Sequence, residues 1–489
     1  MAEDLLFVDN DGETLFLLAK LQIVLLGMLL GAFVFVWARE LFGLAAATVA
    51  LLLYTFDPNV LAHSQIVHTD VPFAAFFFIG TYWFWHALHR LTWLNLVCAA
   101  LFFALCAITK YSYPVIVLVW AALGAMRVFA SEPFRLELTA PRALSGYWRK
   151  AMVVVGILAA AAVATYGVTW AAYGFRYEAV PGGARPMAMA QVMPSGMPVV
   201  TALATFAASH RLFPEAWLYG QLYTLNYLTR PSYLLGSISG DGFLAYFPIA
   251  VAVKTPLPAL ILFVWSVVAW ATRRARMTGL FLLVPVAIHF LVAVSSHMNI
   301  GLRHILPIYP FLFVLLGGSA VLLWQGGGVW ARRCLALLAV WQLASCLAAY
   351  PHYLAYFNEL AGGSQNGHRV LLDSNVDWGQ DLKGLKRWMD ANHVKKVQFL
   401  YFGYVDPEYY GIDAVYPSGN RWLRYDPPAT QSKDAPEYVV VSANILYASR
   451  IFLDASAPAW SETEAFLRSL RAKRPIASIG YSLYVYRID

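Results

Sequence analysis

The run from Thr92 to Phe129, TWLNLVCAALFFALCAITKYSYPVIVLVWAALGAMRVF, carries a lysine, Lys110, at its middle and an arginine, Arg127, near its end. On each side of Lys110 lies an apolar stretch of the length that a helix needs to cross a bilayer, roughly 17 to 25 residues. The reading is two membrane spans, 92–109 and 111–129, meeting in a tight turn at Lys110. Further apolar runs near 15–37, 42–56, 71–89, 151–173, 255–271, 279–296, 304–324 and 331–350 bring the expectation to about ten spans. Composition agrees: of 489 residues 60% are hydrophobic, 15% aromatic and 13% charged. A soluble domain carries about 25% charged residues. From Asn358 onward the polarity becomes ordinary, and Val397 to Phe402 and Tyr438 to Val441 read as strands. Leu382, Leu385, Trp388 and Met389 recur at helical spacing and predict a helix over 381–391. The expected architecture is a mainly α, polytopic transmembrane bundle over 1–357 with a small extramembrane α/β domain over 358–489.

The net charge of +7 lies mostly in short loops between apolar runs, which argues for membrane topology and against nucleic acid. Arg39, the segment His86 to Arg90, the segment Arg127 to Lys150, Arg273, Arg274, Arg276, Arg332 and Arg333 fall in alternate loops, predicted to be cytoplasmic. The start of the chain, 57–70, the Lys110 turn, the long loop 174–254, 297–303 and everything after Tyr350 then face outward. Glu3, Asp4, Asp9, Asp11 and Glu13 thus stand outside with no signal-like segment before them, which suggests a missing preceding span. Cys98, Cys106, Cys334 and Cys346 all lie within apolar runs, so no disulfide framework, CxxC pair or divalent-metal site is indicated.

The outward segments hold the chemistry-bearing residues. In 57–72, Asp57, His63, His68 and Asp70 border one interface, where a carboxylate suits a general base for an acceptor hydroxyl. The plainer reading makes Asp57 and Thr69-Asp70 helix caps. Lys110, followed by Tyr111, places a cation at headgroup depth, as do Lys254 and Arg303-His304 at two other outer boundaries. Fixed cations there suit a phosphate, whereas a snorkelling lysine is the ordinary alternative. Tyr219, Tyr223, Tyr227, Arg230, Tyr233 and Tyr246 in the long loop suit sugar rings or interfacial anchoring. His289, inside an apolar run, reads as a hydrogen-bonded core histidine.

Taken in order, Asp57-Pro58-Asn59 through His63 to Thr69-Asp70, then Thr109-Lys110-Tyr111-Ser112, Lys254-Thr255-Pro256, Ile300 to Pro307, Tyr350 to Glu359, Asp373-Ser374-Asn375 and Asp377 to Leu382 resemble bacterial relatives of the protein O-mannosyltransferases. The resemblance implies the GT-C fold in a multi-pass bacterial inner-membrane protein, its C-terminal domain outside the cytoplasm. It implies a hexose or pentose moved, with inversion, from a polyprenyl-phosphate carrier to a protein, lipid or glycan acceptor, with no cofactor beyond that donor. Lys110 matches the family's phosphate-binding lysine, and Arg303, His304, Lys254, His63 and Tyr111 are further expected contacts. The chain departs from the family in lacking the first span and the Asp-Glu loop that carries the expected base. A misplaced start or a truncated, inactive copy would explain this equally. The C-terminal domain is expected to serve acceptor choice or assembly and not chemistry. The rival readings are a polytopic transporter, whose interrupted helices in paired halves the sequence does not display, and a noncatalytic envelope protein.

Overall fold

The computed structural model describes residues 6, 9–139, 141–180, 187–194, 196–226, 229–271, 277–416, 436–453 and 460–488. Glu3, Asp4, Tyr227, Arg273, Arg274 and Arg276 lie outside them. The first helix, α1 (Gly12–Phe42), starts where the Asp11 carboxylate accepts from Glu13 N and Thr14 Oγ1. It stops at Gly43, whose φ of 87° a side chain would oppose. Then follow α2 (Leu44–Thr55), the short α3 (Pro58–His63), α4 (Asp70–His89), α5 (Trp93–Thr109), α6 (Pro114–Phe129) and α7 (Tyr147–Ala172). Beyond the long loop come α10 (Tyr246–Lys254), α11 (Leu257–Ala271), α12 (Met277–Val294), a 3₁₀ turn Leu302–Ile308 running into α13 (Tyr309–Gly326), and α14 (Val329–Ala348). Each predicted span therefore contains a helix.

Five of the described helical stretches are long and apolar enough to cross a membrane, or up to six if α10 and α11 form one bent span. This is a multi-pass membrane bundle, with α4 at its centre and α7 and α14 at the rim. The shorter apolar helices, including α2, α5 and α6, pack within the same bundle. Phe77 and Phe78 of α4 meet Phe311 of α13 edge to face at centroid distances of 5.5 and 4.8 Å, and Trp37 of α1 closes on Phe78 at 5.1 Å. Gly317 lets α13 cross α2 closely, since a Cβ there would come within 2.4 Å of Ala46 O.

On the basic-loop side, β1 (Arg90–Leu91), β2 (Phe134–Leu136) and β3 (Arg142–Leu144) form a small sheet. On the opposite side the loop after α7 holds α8 (Pro198–Ser209), α9 (Glu215–Asn226) and the hairpin β4 (Ser232–Leu234)–β5 (Ser237–Ser239). The end of the segment read as outer loop is α10, whose Tyr246, Phe247 and Lys254 are buried in the bundle. It breaks from α11 at 117°. A broken helix leaves carbonyls without partners, and asparagines supply the donors. Asn358 Nδ2 donates to Ala252 O and Thr255 O, its backbone N–H to Val253 O, and Asn59 Nδ2 to Lys254 O.

The C-terminal domain is a mixed sheet of β6 (Lys396–Leu400), β7 (Asp413–Val415), β8 (Tyr438–Ser442), β9 (Ala477–Ile479) and β10 (Leu483–Arg487), in the order β7-β6-β8-β10-β9. β6 runs parallel to β7 and β8, and β10 antiparallel to β8 and β9. α15 (Leu382–Ala391) puts Leu382, Leu385 and Met389 against Val397, Phe399 and Val440 on one face. On the other face α16 (Ala443–Phe452) and α17 (Trp460–Ala472) cover Leu400, Val439 and Val441. The helix and both strands read from sequence are present to within two residues. That second apolar cluster runs through Leu371, Leu372 and Val376 into the helical bundle, so the domain is seated on the membrane helices.

Candidate functional site

Asp70 opens α4 and is 2% exposed. A carboxylate so buried needs charge partners, and three elements bring them. Lys110, in the turn between α5 and α6, donates from Nζ to Oδ1 at 2.5 Å. Arg303, on the 3₁₀ turn before α13, places a terminal nitrogen 3.5 Å from Oδ2. His68 brings Nδ1 to 2.8 Å from the same oxygen, out of line for a hydrogen bond, and its Nε2 lies 3.3 Å from the arginine. Two cations, Lys110 and Arg303, thus face one carboxylate.

Residues from the C-terminal domain complete the wall. The Arg303 guanidinium lies 4.7 Å from the Trp378 ring centroid, and its Nε donates to Ser374 Oγ at 3.0 Å. The His68 and His63 rings lie 5.1 and 6.2 Å from the same indole. Burial pushes His63 down to about 4, so it is a neutral imidazole at physiological pH.

The other candidates are elsewhere. Asp57 accepts from Asn59 N at 2.9 Å and Val60 N at 3.0 Å, capping α3 with Pro58 in its first turn. Burial pushes its carboxyl up to about 6 against those two donors, and its Oδ2 has no hydrogen-bond partner. Lys254 is 2% exposed and donates to Leu354 O at 2.7 Å and Asn375 O at 2.8 Å, with Phe357 beneath it at 4.5 Å. Its charge fastens the bundle to the C-terminal segment and does not face the Asp70 cluster. Tyr111 turns away from Lys110 and packs on Gly220 of α9, where a Cβ would meet its hydroxyl at 2.1 Å. His304 buries an Nε2 without partner, and its carbonyl accepts from His289 Nε2 at 2.9 Å. The structure thus gathers Asp70, Lys110, Arg303 and His63, and separates Asp57, Lys254 and Tyr111 from them. Ser374 and Trp378 join the site although the sequence reading kept their domain out of the chemistry. Their signal was the charged, aromatic run Asp373 to Asp381 in a segment of otherwise ordinary polarity. Among the described residues no group of three His, Cys, Asp or Glu could hold a metal ion.

Residues 12–164 match the family model described as dolichyl-phosphate-mannose-protein mannosyltransferase. No curated protein matches the chain significantly. Among solved structures, ArnT from Cupriavidus metallidurans in the apo state is similar, with 13% identity and a TM-score of 0.44 over 95% of this chain and 82% of that one. The same protein bound to undecaprenyl phosphate gives 14% identity and a TM-score of 0.45 over 96% and 83%. The Archaeoglobus fulgidus oligosaccharyltransferase gives 14% identity and a TM-score of 0.39 over 91% of this chain and 61% of that one.

Proposed function

We propose, on the premise that residues 12–164 carry a domain of the dolichyl-phosphate-mannose-protein mannosyltransferase family, that this membrane glycosyltransferase moves a hexose or pentose from a polyprenyl-phosphate carrier to an acceptor at the outer face. The observation that carries the reading is the Asp70 cluster, two cations against one carboxylate at a helix end. A polyprenyl phosphate leaves its anionic group at headgroup depth with its tail in lipid, so its site needs fixed positive charge there.

In transfer, an acceptor hydroxyl attacks the anomeric carbon, the bond to the carrier phosphate oxygen breaks, and the hydroxyl proton passes to solvent or to the departing phosphate. Charge then grows on the phosphate oxygens, and Lys110 and Arg303, already held in place, stabilise it. Asp70 holds the two cations apart and oriented. Ion pairing favours its ionised form and makes it a weak base, so its contribution is positioning and not proton removal. Asp57 is engaged as a helix cap, which argues against its meeting an acceptor. Transport is the weaker reading, because one broken pair, α10–α11, is found among the described helices, and its carbonyls are filled by asparagines in place of a translocated ion.

The test measures binding of a polyprenyl-phosphate sugar to the wild type and to Lys110→Ala in the same detergent. A charge-assisted contact contributes about 1.5 to 3 kcal/mol, so Lys110→Ala should bind about ten- to a hundredfold more weakly. Lys110→Arg should recover part of that loss. No binding by the wild type would reject the donor class, and equal affinities would remove Lys110 from the site. The outer-face assignment is tested with a membrane-impermeant thiol reagent, which should label a cysteine placed at Asn392 and spare one at Glu132.

A further inference from the structure

We infer that Trp378 and Ser374, from the extramembrane domain, are positioning residues for the site arginine, so that the phosphate-facing cation pair is complete only with that domain seated. The inference rests on the donor reading above and extends it to a part of the chain that the family model does not cover.

Arg303 follows Gly301 on a 3₁₀ turn, and an arginine side chain on such a turn has several rotamers open to it. Contacts from residues 374–378 select one. Ser374 Oγ donates to Ile300 O at 2.6 Å, which turns a lone pair toward Arg303 Nε at 3.0 Å. Asn375 Oδ1 accepts from Leu302 N at 3.0 Å and holds the backbone beside the arginine. The Arg303 guanidinium carbon stands over the indole of Trp378, 4.7 Å from the ring centroid, in a cation–π contact. With Nε and one face occupied, Nη1 is left to reach both His68 and Asp70.

The support continues back into the sheet. Asp377, next to the tryptophan, accepts from Gly379 N at 2.8 Å and from the hydroxyl of Ser442 at the end of β8. The fit leaves no slack: a Cβ at position 301 would lie 2.3 Å from Ser374 Oγ. A hydroxyl, a ring face and a carboxamide from one short segment therefore aim an arginine that belongs to the membrane bundle.

The experiment is a double-mutant cycle on the full chain in one detergent, with undecaprenyl phosphate as the probe. Trp378→Ala should weaken binding about three- to tenfold, the usual range of a partly desolvated cation–π contact. Trp378→Phe, which keeps a ring face, should restore most of it. In an Arg303→Ala background, Trp378→Ala should cost nothing further, because its effect passes through the arginine. Ser374→Ala, which removes the acceptor for Arg303 Nε and the donor to Ile300 O, serves the same cycle if Trp378→Ala fails to fold. Loss carried over in full into the Arg303→Ala background, or no loss from either variant, would overturn the positioning role. Failure of the wild type to bind the probe would instead overturn the donor reading, and this inference with it.

Discussion

Replacing Asp70 by asparagine keeps the shape of the side chain and removes the charge that stands between Lys110 and Arg303. The lysine and arginine side chains are 16% and 11% exposed and the carboxylate 1%, so solvent screens the cluster weakly. Breaking a buried charge pair costs about 3 to 5 kcal/mol, and the amide oxygen retains a hydrogen bond to Lys110, which puts the expected loss at about 3 kcal/mol. The melting temperature in detergent should fall by a few degrees, on the order of one degree per kcal/mol for a chain this long. The two cations then lack an anion, and a phosphate can supply it. Undecaprenyl phosphate should therefore bind Asp70→Asn more tightly than the wild type, by roughly tenfold, and raise its melting temperature further. Intrinsic tryptophan fluorescence on heating, with and without the lipid, measures both. A melting temperature within about 1 °C of the wild type would refute the electrostatic account. So would a smaller lipid-induced rise than the wild type shows.

Burial lifts the Asp377 carboxyl from 3.8 to about 7, and that of Asp373 to about 6. At these two positions the folded protein holds protons that the unfolded chain has released, so their contribution to stability is fully present below about pH 4 and is lost as pH rises to about 7. Asp377→Asn should flatten that decline, and identical pH profiles of melting temperature would contradict the assignment. Lys254→Met leaves Leu354 O and Asn375 O without their donor. It should cost about 2 to 3 kcal/mol and speed hydrogen exchange over 350–358, with undecaprenyl phosphate affinity changed less than about twofold; a large affinity loss would return Lys254 to the phosphate site. Gly317→Leu should sharply lower the folded yield, since the first added carbon already meets Ala46 O, whereas Gly156→Ala, with open space around it, should be neutral or slightly stabilising. Equal yields would mean that the α2–α13 crossing does not limit folding.

Apolar runs announce membrane helices because the bilayer demands one simple pattern, and so the helices were legible from residue order. The small sheet domain was legible for the same kind of reason, through Val397, Phe399 and Val439 to Val441. The site was legible in part. Lys110 and Lys254 look alike in sequence, each a lone cation ending an apolar run. What separates them is tertiary: Lys110 meets Asp70, 40 residues away, whereas Lys254 meets carbonyls 100 and 121 residues away. Asp57 and Asp70 divide likewise, one turned to its own helix start and the other to cations from two further elements. Tyr111 shows that adjacency fails too, since the chain turns at Lys110 and sends neighbouring side chains to different partners. No local pattern could have put Trp378 on Arg303, because their meeting depends on how the sheet domain is seated.

The break between α10 and α11 also bears on how the protein is made. Its carbonyls at 252 and 255 take their donors from Asn358, which leaves the ribosome 106 and 103 residues after them. A buried carbonyl left without its donor costs about 1 to 3 kcal/mol. The bent pair is therefore expected to settle fully only once the segment around residue 358 has returned to the bundle. Nascent chains arrested shortly before Asn358 should remain crosslinkable to the insertion machinery and be degraded quickly, and those arrested far enough beyond for Asn358 to emerge should be released.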